Sequence, residues 1–164
     1  MSRSEDQAKA QYESICEMVV ALNVDYDRLG HLKEERRGLQ DAQAALSTWD
    51  AENAEELSEL HRAATGCENQ DAARDNIQAD PLSVQVRSGW YDAAPGWDER
   101  APEEFEILLC TGGPAVRITG ELDDHCQPSS ARMEHQDWGT CWTQDFGPDQ
   151  DVLLQYCSEF YFGG

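Results

Sequence analysis

The sequence predicts an α+β fold: an N-terminal helical hairpin within residues 1–80, then a small antiparallel sheet meander with a C-terminal helix within residues 81–164. Three observations carry this. Apolar residues recur at spacings of three and four up to about residue 80, the period of a helix face. Beyond it they alternate with polar residues in short runs, the period of strands. Glycine-rich or polar turns separate those runs.

In the first half, Ser4 and Gln7 have the spacing of a capping box. Ile15, Met18, Val19, Leu22, Tyr26 and Leu29 then line one side of a helix that Gly30 weakens or interrupts. A second helical stretch passes through Leu39, Ala42 and Leu46, continues from Asp50 to Ala64 with Leu57 and Leu60, and stops at Gly66. Two amphipathic helices in succession predict an antiparallel hairpin. A shorter helix from Asp71 to about Gln78 is ended by Pro81, because the residue before a proline is pushed out of the helical region.

In the second half, Val84, Val86 and the run to Tyr91 alternate as a strand, and Phe105, Ile107 and Leu109 do so against Glu104, Glu106 and Leu108. Thr111-Gly112-Gly113-Pro114 supplies a tight reversal into a strand from Ala115 to Leu122 that carries Val116 and Ile118. The polar turn Asp123 to Pro128 leads to a strand from about Ser130 to Gln136, and a helix from Asp149 to about Phe160 closes the chain.

Charge is the dominant property: 33 Asp and Glu against 12 Lys and Arg leave a formal net of −21 on 164 residues. The excess is no tail, since residues 1–80 hold 18 acids and 8 bases and residues 81–164 hold 15 acids and 4 bases. Duplex DNA carries one phosphate per roughly 1.7 Å of axis, so this charge matches about ten base pairs, a length close to the diameter of a compact chain of this size. The densest groups are Glu52, Glu55, Glu56 and Glu59, then Asp98, Glu99, Glu103, Glu104 and Glu106, then Asp123 and Asp124, and no basic stripe is visible between them. The plain reading is a set of solvated faces. Five Trp, five Tyr and four Phe, placed mostly in the second half inside apolar runs, argue against a disordered chain.

Residues 1–20 lack the basic start and apolar block of a signal peptide, and no apolar run approaches the 18 or so residues of a membrane span, so a cytoplasmic protein is expected. Cys16, Cys67, Cys110, Cys126, Cys141 and Cys157 are too widely spaced for a CxxC unit and read as free thiols.

The stretches Ser88-Gly89-Trp90-Tyr91, Phe105 to Ala115, Gln136-Asp137-Trp138-Gly139-Thr140 and Phe160-Tyr161-Phe162-Gly163 resemble an acidic family of uncharacterised proteins encoded on bacterial mobile elements and phages. The similarity covers roughly residues 80–164 and, more loosely, the helical half. It implies a genetic setting, in which small acidic proteins resemble inhibitors of host defence that imitate nucleic acid, and it assigns no catalytic residue.

Motifs for chemistry are weak. Asp123-Asp124-His125-Cys126 with Glu134, His135 and Asp137 contains zinc-ligand types but no repeated spacing, and a polar turn explains it better. Cys141 has His135 six residues earlier and no nucleophile signature around it. Gly112-Gly113-Pro114 lacks the Lys and Ser/Thr of a phosphate loop, and 33 acids make chance carboxylate pairs unavoidable. Trp138 and Trp142 flank Gly139; core closure over the sheet is the expected role, and an exposed ring there would mark the edge of a binding face.

The expected function is therefore that of a non-enzymatic inhibitor without a cofactor or metal. It would present acids to a basic nucleic-acid-binding protein or complex of a bacterial host, such as a CRISPR effector or restriction enzyme. The partner-binding residues expected are Glu52, Glu55, Glu56, Glu59, Asp98, Glu99, Glu103, Glu104, Asp123, Asp124 and Trp138. Neither nucleic acid nor membrane is an expected direct partner, and a symmetric homodimer through the helical hairpin would lengthen the acidic surface. The alternatives are an acidic structural or salt-adapted interaction protein and, behind it, a thiol or metal enzyme.

Overall fold

Four helices precede a sheet and a fifth helix follows it in the computed structural model, which describes residues 2–90 and 101–163. The helices are α1 (Arg3–Leu22), α2 (Tyr26–Gly38), α3 (Gln43–Ala63), α4 (Gln70–Ala79) and α5 (Gln150–Cys157). The strands are β1 (Ser83–Arg87), β2 (Glu104–Cys110), β3 (Ala115–Glu121), β4 (Arg132–Gln136) and β5 (Thr143–Asp145). They form one sheet in the order β1-β2-β3-β4-β5 with every neighbour antiparallel, a meander in an α+β fold.

By contacts the chain divides into two compact units, one of Met1–Cys16 with Ile77–Gly164 and one of Glu17–Asn76. The second border falls close to the change of period at residue 80, while the first sixteen residues belong with the sheet.

In the sheet unit, alternation sorts side chains by face. Phe105, Ile107 and Leu109 of β2, Val116 and Ile118 of β3 and Met133 of β4 are buried, together with Ala8 and Ile15 of α1 and Leu153, Tyr156 and Cys157 of α5. Beyond α5, Phe162 stacks on Phe105 with ring centroids 4.8 Å apart. The opposite face of the sheet is polar. There Arg117 bridges Glu106 (2.5 Å) and Glu134 (2.7 Å), Arg132 reaches Glu134 at 3.0 Å, and the Trp142 ring lies 4.1 Å from the Arg117 guanidinium. Those acids are compensated in place.

The N-terminal capping box sits two residues earlier than expected. Ser2 Oγ accepts from the Glu5 amide at 3.2 Å and the Glu5 carboxylate accepts from the Ser2 amide at 2.6 Å, the reciprocal pattern that satisfies two end donors. Ser4 is instead 3% exposed and joins a buried polar chain: its hydroxyl donates to Asp137 Oδ2 at 3.1 Å and lies 2.9 Å from Nδ1 of His135. With the hydroxyl proton committed to Asp137, Nδ1 carries the proton and donates to Ser4. Ser4→Ala takes this partner from the buried His135 ring and from the half-buried Asp137 carboxylate, so it is expected to lower unfolding free energy by about 1–3 kcal/mol, measured by urea denaturation. An unchanged urea midpoint would show that the network adds nothing.

In the helical unit, the first helix ends earlier than the apolar period suggests. Asn23-Val24-Asp25 breaks it, because Asn and Asp side chains offer the backbone local partners that compete with helix bonds. Asn23 Nδ2 donates to the Val19 carbonyl at 2.8 Å, and Asp25 restarts the chain as N-cap of α2 by accepting from the Arg28 amide at 2.9 Å. Gly30 lies inside α2. The hairpin is α2 with α3: Arg28 binds Glu56 and Arg36 binds Asp50, so position falls along one helix as it rises along the other. Trp49 Nε1 donates to Glu35 in the same register at 3.2 Å. The chain leaves α3 through Thr65 and Gly66 with φ of +48° and +86°, the left-handed stop that Gly66 predicts. Ala21, Cys67 and Ala73 form the core at the other end, with Tyr26 donating to the Ala21 carbonyl at 2.8 Å.

All six cysteines are free thiols. No helix among the described residues is long and apolar enough to cross a membrane.

Candidate acidic interface

The expected partner-binding residues fall in both compact units, and each group is described within its own. On α3, Glu52, Glu55, Glu56 and Glu59 are all exposed. Spacings of three, one and three place them within about 100° of one helix circumference. Glu56 differs from its neighbours. Both its oxygens accept from Arg28, at 2.8 and 2.7 Å, and that bidentate pair holds its carboxyl below the usual carboxylate range. Its charge is already answered within the hairpin by the Arg28 guanidinium. Glu52, Glu55 and Glu59 have no ion pair among the described residues.

In the sheet unit, Asp98 and Glu99 lie outside the described residues. Glu103, Glu104, Glu121 and Asp124 surround an open hollow of about 760 Å³ together with Arg87 and the fully exposed Trp90. Register explains the assembly: Arg87, Glu104 and Glu121 sit opposite one another on β1, β2 and β3. Two carboxylates facing each other across strands repel, and Arg87, ion-paired to Glu104, offsets that. Glu121 and Trp90 were not singled out by the sequence. Strand pairing brings Glu121 beside Glu104, and Trp90 follows three residues after Arg87, the last residue of β1.

Asp123 and Asp124 separate despite adjacency. Asp123 Oδ1 accepts from the amides of His125 at 2.8 Å and Gln127 at 2.9 Å, and these backbone donors hold its carboxyl below the ordinary range. It shapes the turn in which Cys126 adopts φ +57°, whereas Asp124 lines the hollow.

Trp138 is 81% exposed, with its indole N–H donating to the Gly112 carbonyl at 3.2 Å. The expected core role is corrected: the loop at Gly139 (φ +75°) turns the ring outward, against the Gly112 turn. Trp142 is half-buried on Arg117 instead. The described residues contain no group of three or more His, Cys, Asp or Glu placed to hold a metal ion.

One expectation about charge fails. A basic strip does interrupt the acids: Lys33, Arg36 and Arg37 of α2 meet His61 and Arg62 of α3 along one groove of the hairpin. In sequence these groups are more than twenty residues apart, and the antiparallel pairing alone unites them.

Compared with protein-family models, curated proteins and solved structures, the chain matches none.

Proposed function

We propose that the chain is a non-enzymatic inhibitory protein that works in the cytoplasm of a bacterium, where its carboxylates occupy the nucleic-acid site of a basic defence protein or complex. The observation that carries this reading is the row Glu52, Glu55 and Glu59, exposed along one side of a 21-residue helix without ion pairs among the described residues, in a chain of net −21. Their axial rise is about 10 Å, over which a duplex would present roughly six phosphates, so α3 offers about half the linear charge of DNA. In the sheet unit, Trp90 and Trp138 are both exposed, and Trp is a residue type that carries interface energy where charge alone supplies mainly encounter rate.

The test has two arms. The immobilised chain is exposed to bacterial lysate at low salt, and the retained protein is challenged with duplex DNA; competition for one site predicts displacement. The variant Glu52→Lys/Glu55→Lys/Glu59→Lys/Asp124→Lys is then expected to lose affinity on the order of 100-fold, about 3 kcal/mol, with an unchanged circular dichroism spectrum. A partner that holds DNA and this chain simultaneously, or that binds the fourfold variant as well as the parent, removes the mimicry reading.

A further inference from the structure

The α2–α3 hairpin carries opposite charges on opposite sides. At 100° per residue, Glu52, Glu55 and Glu59 centre on one side of α3, while Asp50, Ala54, Leu57 and His61 centre roughly 160° away. That second side, with Lys33, Arg36, Arg37 and Gln40 of α2 and Arg62 of α3, forms a surface groove. Arg36 is committed to Asp50 at 2.9 Å. Lys33, Arg37 and Arg62 are exposed and have no ion pair among the described residues, a condition they share only with Arg3. In a chain with 33 acids, three unanswered cations converging on one groove are not the expected outcome of scatter.

We propose that this groove is a docking site for an acidic amphipathic helix of a partner protein. Shape selects an elongated occupant. From Asp50 to Arg62 the lining extends along α3 by about 18 Å, so no single small oxyanion touches both ends. The floor selects an amphipathic one. Ala54 and the half-buried Leu57 lie between the cations, and apolar contact there rewards a leucine stripe but does nothing for a phosphate backbone. The only ring in the groove lining is the His61 imidazole, and no Trp, Tyr or Phe there offers a broad platform for a nucleic-acid base. A lane between two antiparallel helices is also the seat in which a third helix packs by ridges into grooves. The occupant therefore carries Glu or Asp along both flanks of an apolar stripe, reaching Lys33 and Arg37 on one side and Arg62 on the other.

The probe is a synthetic Leu/Glu amphipathic helical peptide titrated into the isotope-labelled full chain, with a single-stranded oligonucleotide of equal charge run in parallel. Saturable amide shifts confined to residues 33–40 and 50–62 are expected with the peptide. Arg37→Glu/Arg62→Glu should weaken it at least tenfold and gain affinity for the corresponding Leu/Lys peptide. Arg37→Gln/Arg62→Gln shows the same loss should the double reversal not fold. Three results overturn the proposal: no saturable shift at millimolar peptide, tighter binding of the oligonucleotide to the same residues, or a concentration-dependent mass of the chain alone that moves those resonances.

Discussion

Gly120→Ala is expected to cost the sheet unit about 3 kcal/mol or more, close to the upper end for overpacking a core. A Cβ built at Gly120 meets the Ser130 carbonyl oxygen at 1.9 Å and the Phe105 ring at 2.7 Å. Neither neighbour has room to withdraw. The carbonyl is backbone in the segment leading into β4, and Phe105 faces Gly120 in register while stacked on Phe162. Relief requires β3 to part from that segment or the Phe105–Phe162 pair to come apart, which would damage the buried side of the sheet. Gly113→Ala is the matched control, because nothing lies within 4 Å of its added carbon, and it should stay within about 0.5 kcal/mol of the parent. Urea unfolding followed by tryptophan fluorescence separates the two. Equal midpoints for Gly120→Ala and the parent would mean that the strand yields at no cost.

The fold class was legible because both periods are long and uninterrupted where they matter. Phe105, Ile107 and Leu109 alternate through all of β2, and Gly66 and Pro81 stop helices where they should. Local competition defeated the reading elsewhere. Leu22, Tyr26 and Leu29 keep helical spacing across a break made by Asn23 and Asp25, since periodicity cannot register a side chain that captures a backbone group. The strand Thr143–Asp145 has three residues, too few to show a period of two.

The site was legible only as composition. Sequence marks Glu52, Glu55, Glu56 and Glu59 as equals, yet Glu56 differs from the others by one guanidinium that arrives from 28 residues away. Asp123 and Asp124 are neighbours whose roles diverge because two amides of a turn converge on one and not the other. Formal charge thus overstates what an acidic chain offers a partner. On the polar face of the sheet, Glu106 and Glu134 are answered by Arg117 and Arg132, so that face is zwitterionic and contributes little to an external field.

Alkali should destabilise this protein by about 4 kcal/mol between pH 9 and pH 11. Tyr156 and Cys157 are adjacent on α5 and both have 0% exposure. Burial pushes the Tyr156 phenol far above its ordinary 10.0, and its hydrogen bond to Asp80 Oδ2 at 2.6 Å pushes the same way, since a carboxylate disfavours a phenolate beside it. Burial alone pushes the Cys157 thiol far above 9.0. Both groups therefore keep their protons in the native state at pH values where the unfolded chain has lost them. The unfolded state then binds fewer protons, and unfolding free energy falls as pH rises, by about 1.4 kcal/mol per pH unit for each group once its ordinary value is passed. The stability these two groups protect is complete below pH 9, and the loss begins with the thiol and steepens with the phenol. Cys110, Tyr12 and Tyr26 are shifted upward by burial too, so the full chain should show at least this slope. Urea midpoints followed by far-ultraviolet circular dichroism from pH 7 to pH 11 in reducing buffer measure it. Tyr156→Phe should be less stable at pH 7, where it loses the bond to Asp80, and should decline less steeply above pH 10. A midpoint that stays flat to pH 11 in the parent would mean that solvent already reaches α5 in the native state.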